Sequence, residues 1–181
     1  MGAIREPKPV ILFVAVSGID QDALDWARRE LESEWGPVLF ADEPFDFDMT
    51  RFYQQQMGDS IVKQFLAFEQ PIDPAKVVFA KKESNRLEQS YADLRSDSQV
   101  KRPVNIDPGY VTEAKLVLAT TKDRDHRIYL SDGILAEVTL FYQGDVWNSS
   151  RWTYPDYKTE QCFLFLDQCR DYLRKHLHGK A

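Results

Sequence analysis

The chain has 181 residues, 43% hydrophobic and 13% aromatic, with only 8 Gly and 9 Pro. That is one domain's length with apolar content enough for a core, which excludes collagen-like, low-complexity and wholly disordered chains. Its 23 Lys and Arg against 29 Asp and Glu leave a net charge of −6. Such a surface repels phosphate backbones and acidic membranes, and so disfavours general nucleic-acid binding.

Met1 to Pro9 is polar with both charge signs, and the apolar run Val10 to Val16 is too short for a signal sequence or a membrane span. Pro9 to Val16 reads instead as a strand buried on both faces. Ser17-Gly18 ends it, and Asp20 caps a helix over Gln21 to Trp35 in which Leu24, Ala27, Leu31 and Trp35 form one apolar stripe. Gly36-Pro37 stops that helix. Val38 to Ala41 reads as a second strand, running into the acidic and aromatic stretch Asp42 to Asp48.

Thr50 to Met57 reads as a short helix closed by Gly58-Asp59, and Ile61 to Phe68 as a third strand. Asp73-Pro74 starts a long amphipathic helix. Its stripe is Val77, Ala80, Ser84, Leu87, Tyr91 and Leu94, with Lys81, Lys82, Glu83 and Glu88 off it. Ser96 to Arg102 reads as a mobile loop and Pro103 to Ile106 as a short fourth strand. The order βαββαβ predicts an α+β fold with a ferredoxin-like core, its helices on one sheet face. A C-terminal β-hairpin and a terminal helix are added to that core. No linker divides residues 1–181, so a single domain is expected.

Asn105 to Tyr110, with Pro108-Gly109, reads as a tight turn. Val111 to Thr121 suits helix and strand equally. Ile128 to Leu130, Ser131 to Gly133 and Ile134 to Tyr142 read as strand, three-residue loop and strand, with Leu130 facing Ile134. That register places Arg127 opposite Glu137, Tyr129 opposite Leu135 and Asp125 opposite Thr139 on one polar face. Ile128, Leu130, Ile134, Ala136, Val138, Leu140 and Tyr142 make the other, a core face. Lys158 to His176 reads as the last helix, with Asp156 at its N-cap. Cys162 and Cys169, two helical turns or about 10 Å apart, read as buried thiols in a reducing cytosol, so a cytoplasmic location is expected.

Familiar catalytic signatures are missing. The sequence has no phosphate-cradling G-x-x-x-x-G-K-[ST], no dinucleotide-binding G-x-G-x-x-G, no C-x-x-C pair, no H-E-x-x-H and no G-x-S-x-G. It assigns no cofactor and no metal ligands; His176 and His178 read as a solvated tail. Polar and aromatic groups concentrate instead between Asn105 and Asp156. Lys115, Lys122, His126 and Arg127 gather cations in an otherwise acidic chain, which suits an anionic phosphate or carboxylate. Trp152 to Tyr157 places aromatic side chains beside Asp156, a stacking wall for a planar ligand or a lid over the sheet.

Asn105 to Tyr110, Lys115 to Lys122, His126 to Leu130, Ala136 to Leu140 and Trp152-Thr-Tyr-Pro-Asp-Tyr157 together resemble a prokaryotic family, the domain of unknown function 4416. The resemblance extends to Gly36-Pro37, Phe45 to Asp48 and Phe65 to Pro74. It implies a compact single-domain protein and supplies no catalytic residues. The GTP-binding label that some members carry has no counterpart in the motifs, since a guanine-reading N-K-x-D is also missing.

The expected function is therefore binding of an anionic small molecule over the wet face of the hairpin. Lys115, Lys122 and Arg127 would hold the anion, and Trp152 and Tyr154 would cover it. Asp107, Tyr110, Thr139 and Asp156 would complete the contacts. His126 and Glu137 are the acid/base candidates: an imidazole suits proton transfer at neutral pH, a carboxylate beside a guanidinium an orienting role. Strict alternation points His126 away from Arg127, so it needs a strand end or a bulge. The alternative is a protein-interaction module without chemistry. A basic stripe of Lys76, Lys81, Lys82 and Arg86, interrupted by Glu83 and Glu88, reads as a solvated helix face rather than a nucleic-acid site.

Overall fold

The apolar run near the start of the chain forms β1 (Ile11–Gly18), buried along its whole length. It can be buried on both faces because a sheet surrounds it and helices cover both sides. In the computed structural model, which describes residues 2–47, 54–58, 60–96 and 100–179, β1 pairs antiparallel with β4 (Val62–Phe68) and β5 (Val104–Val111). Helices α1 (Gln21–Trp35) and α3 (Lys76–Leu94) lie on one face and α4 (Glu160–His178) on the other. Leu12, Val14 and Val16 pack towards α1 and α3; Ile11, Phe13 and Ala15 pack towards α4. Each fully buried Leu, Ile or Phe there contributes roughly 1.5–3 kcal/mol.

The remaining elements are β2 (Val38–Ala41), β3 (Phe45–Asp46), a short α2 (Gln54–Met57), β6 (Lys115–Thr120), β7 (Ile128–Ser131), β8 (Ile134–Gln143) and β9 (Val146–Ser149). A one-turn 3-10 helix, Pro155–Lys158, precedes α4. Nine strands of the described residues form one antiparallel sheet in the order β2-β4-β1-β5-β6-β8-β7, with β3 on β4 and β9 on β8. No helix of the described residues is long and apolar enough to cross a membrane. The expected Thr50 start of α2, Asp48, Asp59 and the centre of the Ser96–Arg102 loop lie outside the described residues.

Asp20 caps α1 as read, its carboxylate accepting the Ala23 N–H at 2.9 Å. The undecided segment after Val111 is the strand β6. Four other readings need correction. Asn105 to Tyr110 is not a turn but the body of β5, which runs on to Val111. Pro108 is tolerated because β6 pairs only with Gly109, Tyr110 and Val111, so no ladder bond on that side asks for its missing N–H. Gly109 is required where pairing begins: a Cβ there would run into the Val117 carbonyl oxygen. Beyond this point β5 and β6 part.

The hairpin loop has two residues rather than three. Ser131 pairs with Ile134 across Asp132 and Gly133, both with positive φ (52° and 77°), the Asp-Gly form of a tight primed turn. A bulge at Leu130 then restores the expected pairing of Tyr129 with Leu135. The single apolar face is also wrong. A second bulge, at Thr139 between the pairs Val117–Val138 and Leu116–Leu140, reverses the alternation in β8. Ile134 therefore packs against Val77 of α3, whereas Leu140 and Tyr142 pack in the α4 layer. Ile128, Leu130 and Val138 are exposed, while Glu137 and Thr139, expected on a wet face, are buried.

Finally, α4 begins at Glu160. Its N-cap is Thr159, which accepts the Cys162 N–H at 3.2 Å, so Asp156 is released from the capping role. The helix runs to His178, whose Nε2 meets Glu113 at 2.9 Å instead of fraying. Cys162 and Cys169 are free and buried in the α4 core, and burial pushes both thiols upward, which leaves them unreactive.

Candidate functional site

Where β5 and β6 part, the sheet opens into a cavity of about 120 Å³. Asn105 and Asp107 of β5 line one wall; Leu118, Ala119 and Thr120 of β6 with Glu137 of β8 line the other. Lys63 of β4, Lys81 of α3, Arg102, Lys122, Arg127, Tyr154, Asp156 and Tyr157 close it. Five cationic side chains thus meet three carboxylates in one cavity of a chain whose net charge is −6.

Lys81 reaches the gap from the α3 side. Its ammonium donates to the Ile106 carbonyl at 2.9 Å and to Asp107 Oδ1 at 3.1 Å. The Asn105 amide donates to Asp107 Oδ2 at 2.8 Å, so both oxygens of that carboxylate have donors. Burial alone would raise the Asp107 pKa; Lys81, Asn105 and Lys63 outweigh it and hold the group at about 2. Arg102 grips Glu88 at 2.6 Å, and the other Glu88 oxygen accepts the Ile106 N–H at 2.8 Å. Burial pushes Glu88 upward, against the pull of Lys81 and Arg102.

Lys63 stands in the apolar strand β4, where its ammonium binds Asp156 Oδ2 at 2.6 Å. The Phe47 and Tyr157 rings lie 4.7 and 4.8 Å from it, a cation–π surround that replaces part of its lost hydration. Asp156 is 1% exposed, and its Oδ1 has no hydrogen-bond partner among the described residues. Beside this pair, Asp42 accepts the Phe65 N–H at 2.6 Å, and burial raises its pKa to about 6.

Arg127 Nε donates to Glu137 Oε2 at 2.7 Å, and its terminal NH1 donates to the Lys122 carbonyl at 2.9 Å. His126 Nε2 lies 3.1 Å from the same Glu137 oxygen, and its Nδ1 lies 2.9 Å from Asp125. Only the doubly protonated ring donates to both carboxylates. Burial lowers the Lys122 pKa; Asp107 raises it, and Arg102, Arg127 and Lys81 lower it. Among the described residues, no group of three or more His, Cys, Asp or Glu is placed to hold a metal ion.

Of the residues singled out from the sequence, Asp107, Lys122, Arg127, Glu137, Tyr154 and Asp156 line this cavity. His126 stands behind Glu137. The turn closed by Arg127 N–H to Arg124 O brings it round, so alternation does not apply to it. Trp152 stacks on the His126 ring, with centroids 4.9 Å apart, and donates to the Val138 carbonyl, outside the cavity. Thr139 is the buried bulge residue, its hydroxyl 3.5 Å from Glu137. Lys115 and Tyr110 do not belong. They line a separate groove with Lys8 and Pro74, because Lys115 begins β6 and the cavity lies at its far end, roughly 17 Å away along a strand.

The sequence reading missed Lys63, Lys81 and Arg102. Two of them carried a usable signal. Lys63 interrupts an apolar strand, and Lys81 lies four residues after Val77 and three before Ser84, on the buried stripe rather than the solvated face; it is 4% exposed. A charge at a core position needs a partner, and both lysines have one, Asp156 buried and Asp107 part-buried. No curated protein matches the chain. Residues 8–172 match the family described as a domain of unknown function, DUF4416, and the chain belongs to that family.

Proposed function

We propose that this protein binds a small anion, bearing phosphate or carboxylate, in the cavity between β5 and β6. The observation that carries the reading is the five cationic side chains facing one cavity of an acidic chain. Arg102, Lys122 and Arg127 form the anion-holding end, and Tyr154 stands at the rim. The volume, about 120 Å³, bounds the enclosed part of the ligand. A 150 Å³ cavity takes up benzene, so this one encloses about half a dozen non-hydrogen atoms, the rest of a larger ligand lying at its open rim. Glu137 on the wall, with His126 and then Asp125 behind it, supports acid/base chemistry on the bound molecule. The free buried cysteines suit a reducing cytosol. The order β2-β4-β1-β5, antiparallel at each step with α1 and α3 on one face, supports reading the first part of the chain as a ferredoxin-like core.

The test is thermal melting of the full chain with inorganic phosphate and with propionate. A ligand that binds the native state alone raises the melting temperature as its concentration grows. Stabilisation that shrinks in Lys122→Ala and in added chloride supports the reading; no stabilisation by any anion overturns it. A second reading, a protein-interaction module, is favoured by Ile128, Tyr129 and Leu130, all exposed on the edge strand β7. It takes a second copy of the chain as partner, and a sedimentation coefficient that stays monomeric at high concentration removes it.

A further inference from the structure

The two ends of the cavity differ in chemistry. Arg102 and Arg127, which hold Glu88 and Glu137, gather with Lys122 at one end. The other end holds the Lys63–Asp156 pair beneath Phe47 and Tyr157. There one oxygen of the Asp156 carboxylate accepts from Lys63 and the other has no donor among the described residues, in a residue 1% exposed. Buried acceptors in native proteins are nearly always satisfied, and an unsatisfied charged one carries the full cost of its desolvation. Lys63 does not serve both oxygens, because its ammonium sits over Oδ2 within reach of the two rings.

Building on the anion-binding reading, we infer that Asp156 Oδ1 is a second recognition point that accepts a hydrogen bond from the bound molecule. The ligand class is then a small anion that also carries a hydroxyl or N–H a few bonds from its charged group. Hydroxycarboxylates and small hydroxylated phosphate esters share this chemistry. Asp107 lies between the two ends, with Lys81 on its oxygen and Lys63 near enough to lower its pKa, so its negative charge repels a second anionic group in the middle of the cavity. The molecule selected is therefore charged at one end and a neutral donor at the other.

Isothermal titration of the full chain with two matched pairs tests this: 3-hydroxypropionate against propionate, and glycerol 3-phosphate against propyl phosphate. Within each pair the charged group is constant and only the hydroxyls change. The hydroxylated member is expected to bind about tenfold tighter, the effect of one hydrogen bond to a charged acceptor. Whichever pair binds identifies carboxylate or phosphate as the charged group. In Asp156→Asn, and in the double variant Lys63→Met with Asp156→Leu, the ratio is expected to fall towards one. Equal affinities within both pairs overturn the inference and leave anion binding standing, as does a ratio that survives in a folded variant. Failure of all four molecules and of inorganic phosphate to bind overturns both. If neither variant folds, the ratio in the unaltered chain decides.

Discussion

The two lysine–aspartate pairs that line the cavity each have a buried lysine but differ in their aspartates, Asp156 fully buried and Asp107 only partly, and in completeness. Lys81 satisfies both a backbone carbonyl and Asp107, and Asn105 occupies the oxygen that Lys81 leaves. Lys63 satisfies one oxygen of Asp156, and aromatic rings take the place of further polar partners. The first pair is closed and holds β5 against α3 where β6 has turned away. The second is open on one side. A pair with a donor on each carboxylate oxygen serves structure first; in the other, one oxygen has no donor among the described residues.

The contrast is broken most sharply by substitution. Lys81→Met leaves Asp107 without its cation and the Ile106 carbonyl without a donor, and is expected to cost about 3–5 kcal/mol in urea unfolding. The paired replacements separate the two sites. Lys63→Met with Asp156→Leu removes an incomplete ion pair from apolar surroundings and is expected to be near neutral or stabilising in unfolding. Lys81→Met with Asp107→Leu remains destabilising, because Ile106 and Asn105 lose their partners.

Acid sharpens the same contrast more gently. The Asp107 pKa is depressed to about 2 from an ordinary 3.8, so its stabilisation is fully present above about pH 4. It is lost as pH falls through about 2, and amounts to about 2 kcal/mol. In Asp107→Asn this acid-dependent part of the unfolding free energy is expected to be flat over that window. The smallest single-site effect is expected at the cap of α4. Thr159 accepts the Cys162 N–H and donates its hydroxyl to the Asp156 carbonyl at 3.0 Å. Thr159→Ala is expected to cost about 1 kcal/mol by thermal melting. Because the lost hydroxyl anchors the backbone of Asp156, it also weakens any hydroxyl preference while leaving the Lys81 pair unchanged.

Much of the frame was legible because periodicity and caps act locally. The continuous apolar run of β1, the stripe of α1 and the Asp20 cap each follow from neighbouring residues. The site was half legible. Arg127 and Glu137 meet because hairpin register is itself local, and they pair at 2.7 Å. Pro108-Gly109 misled because that dipeptide is common in turns; here both lie within the ladder to β1, and glycine is where pairing with β6 begins, which only the β6 partner reveals. The Thr139 bulge misled for the same reason, since an inserted residue leaves the local pattern intact and reverses everything after it. Lys63 and Lys81 stayed hidden because their partners, Asp156 and Asp107, lie 93 and 26 positions away.

The order in which the ribosome delivers these residues has a consequence for biogenesis. Lys63 enters the nascent chain long before Asp156, which arrives just ahead of α4. Until then the strand that carries Lys63 holds an uncancelled charge on the surface that α4 will later cover, and that charge keeps the unfinished sheet wetted. Arrival of the carboxylate supplies its partner, so the cavity is complete only once synthesis has passed Asp156 and Tyr157.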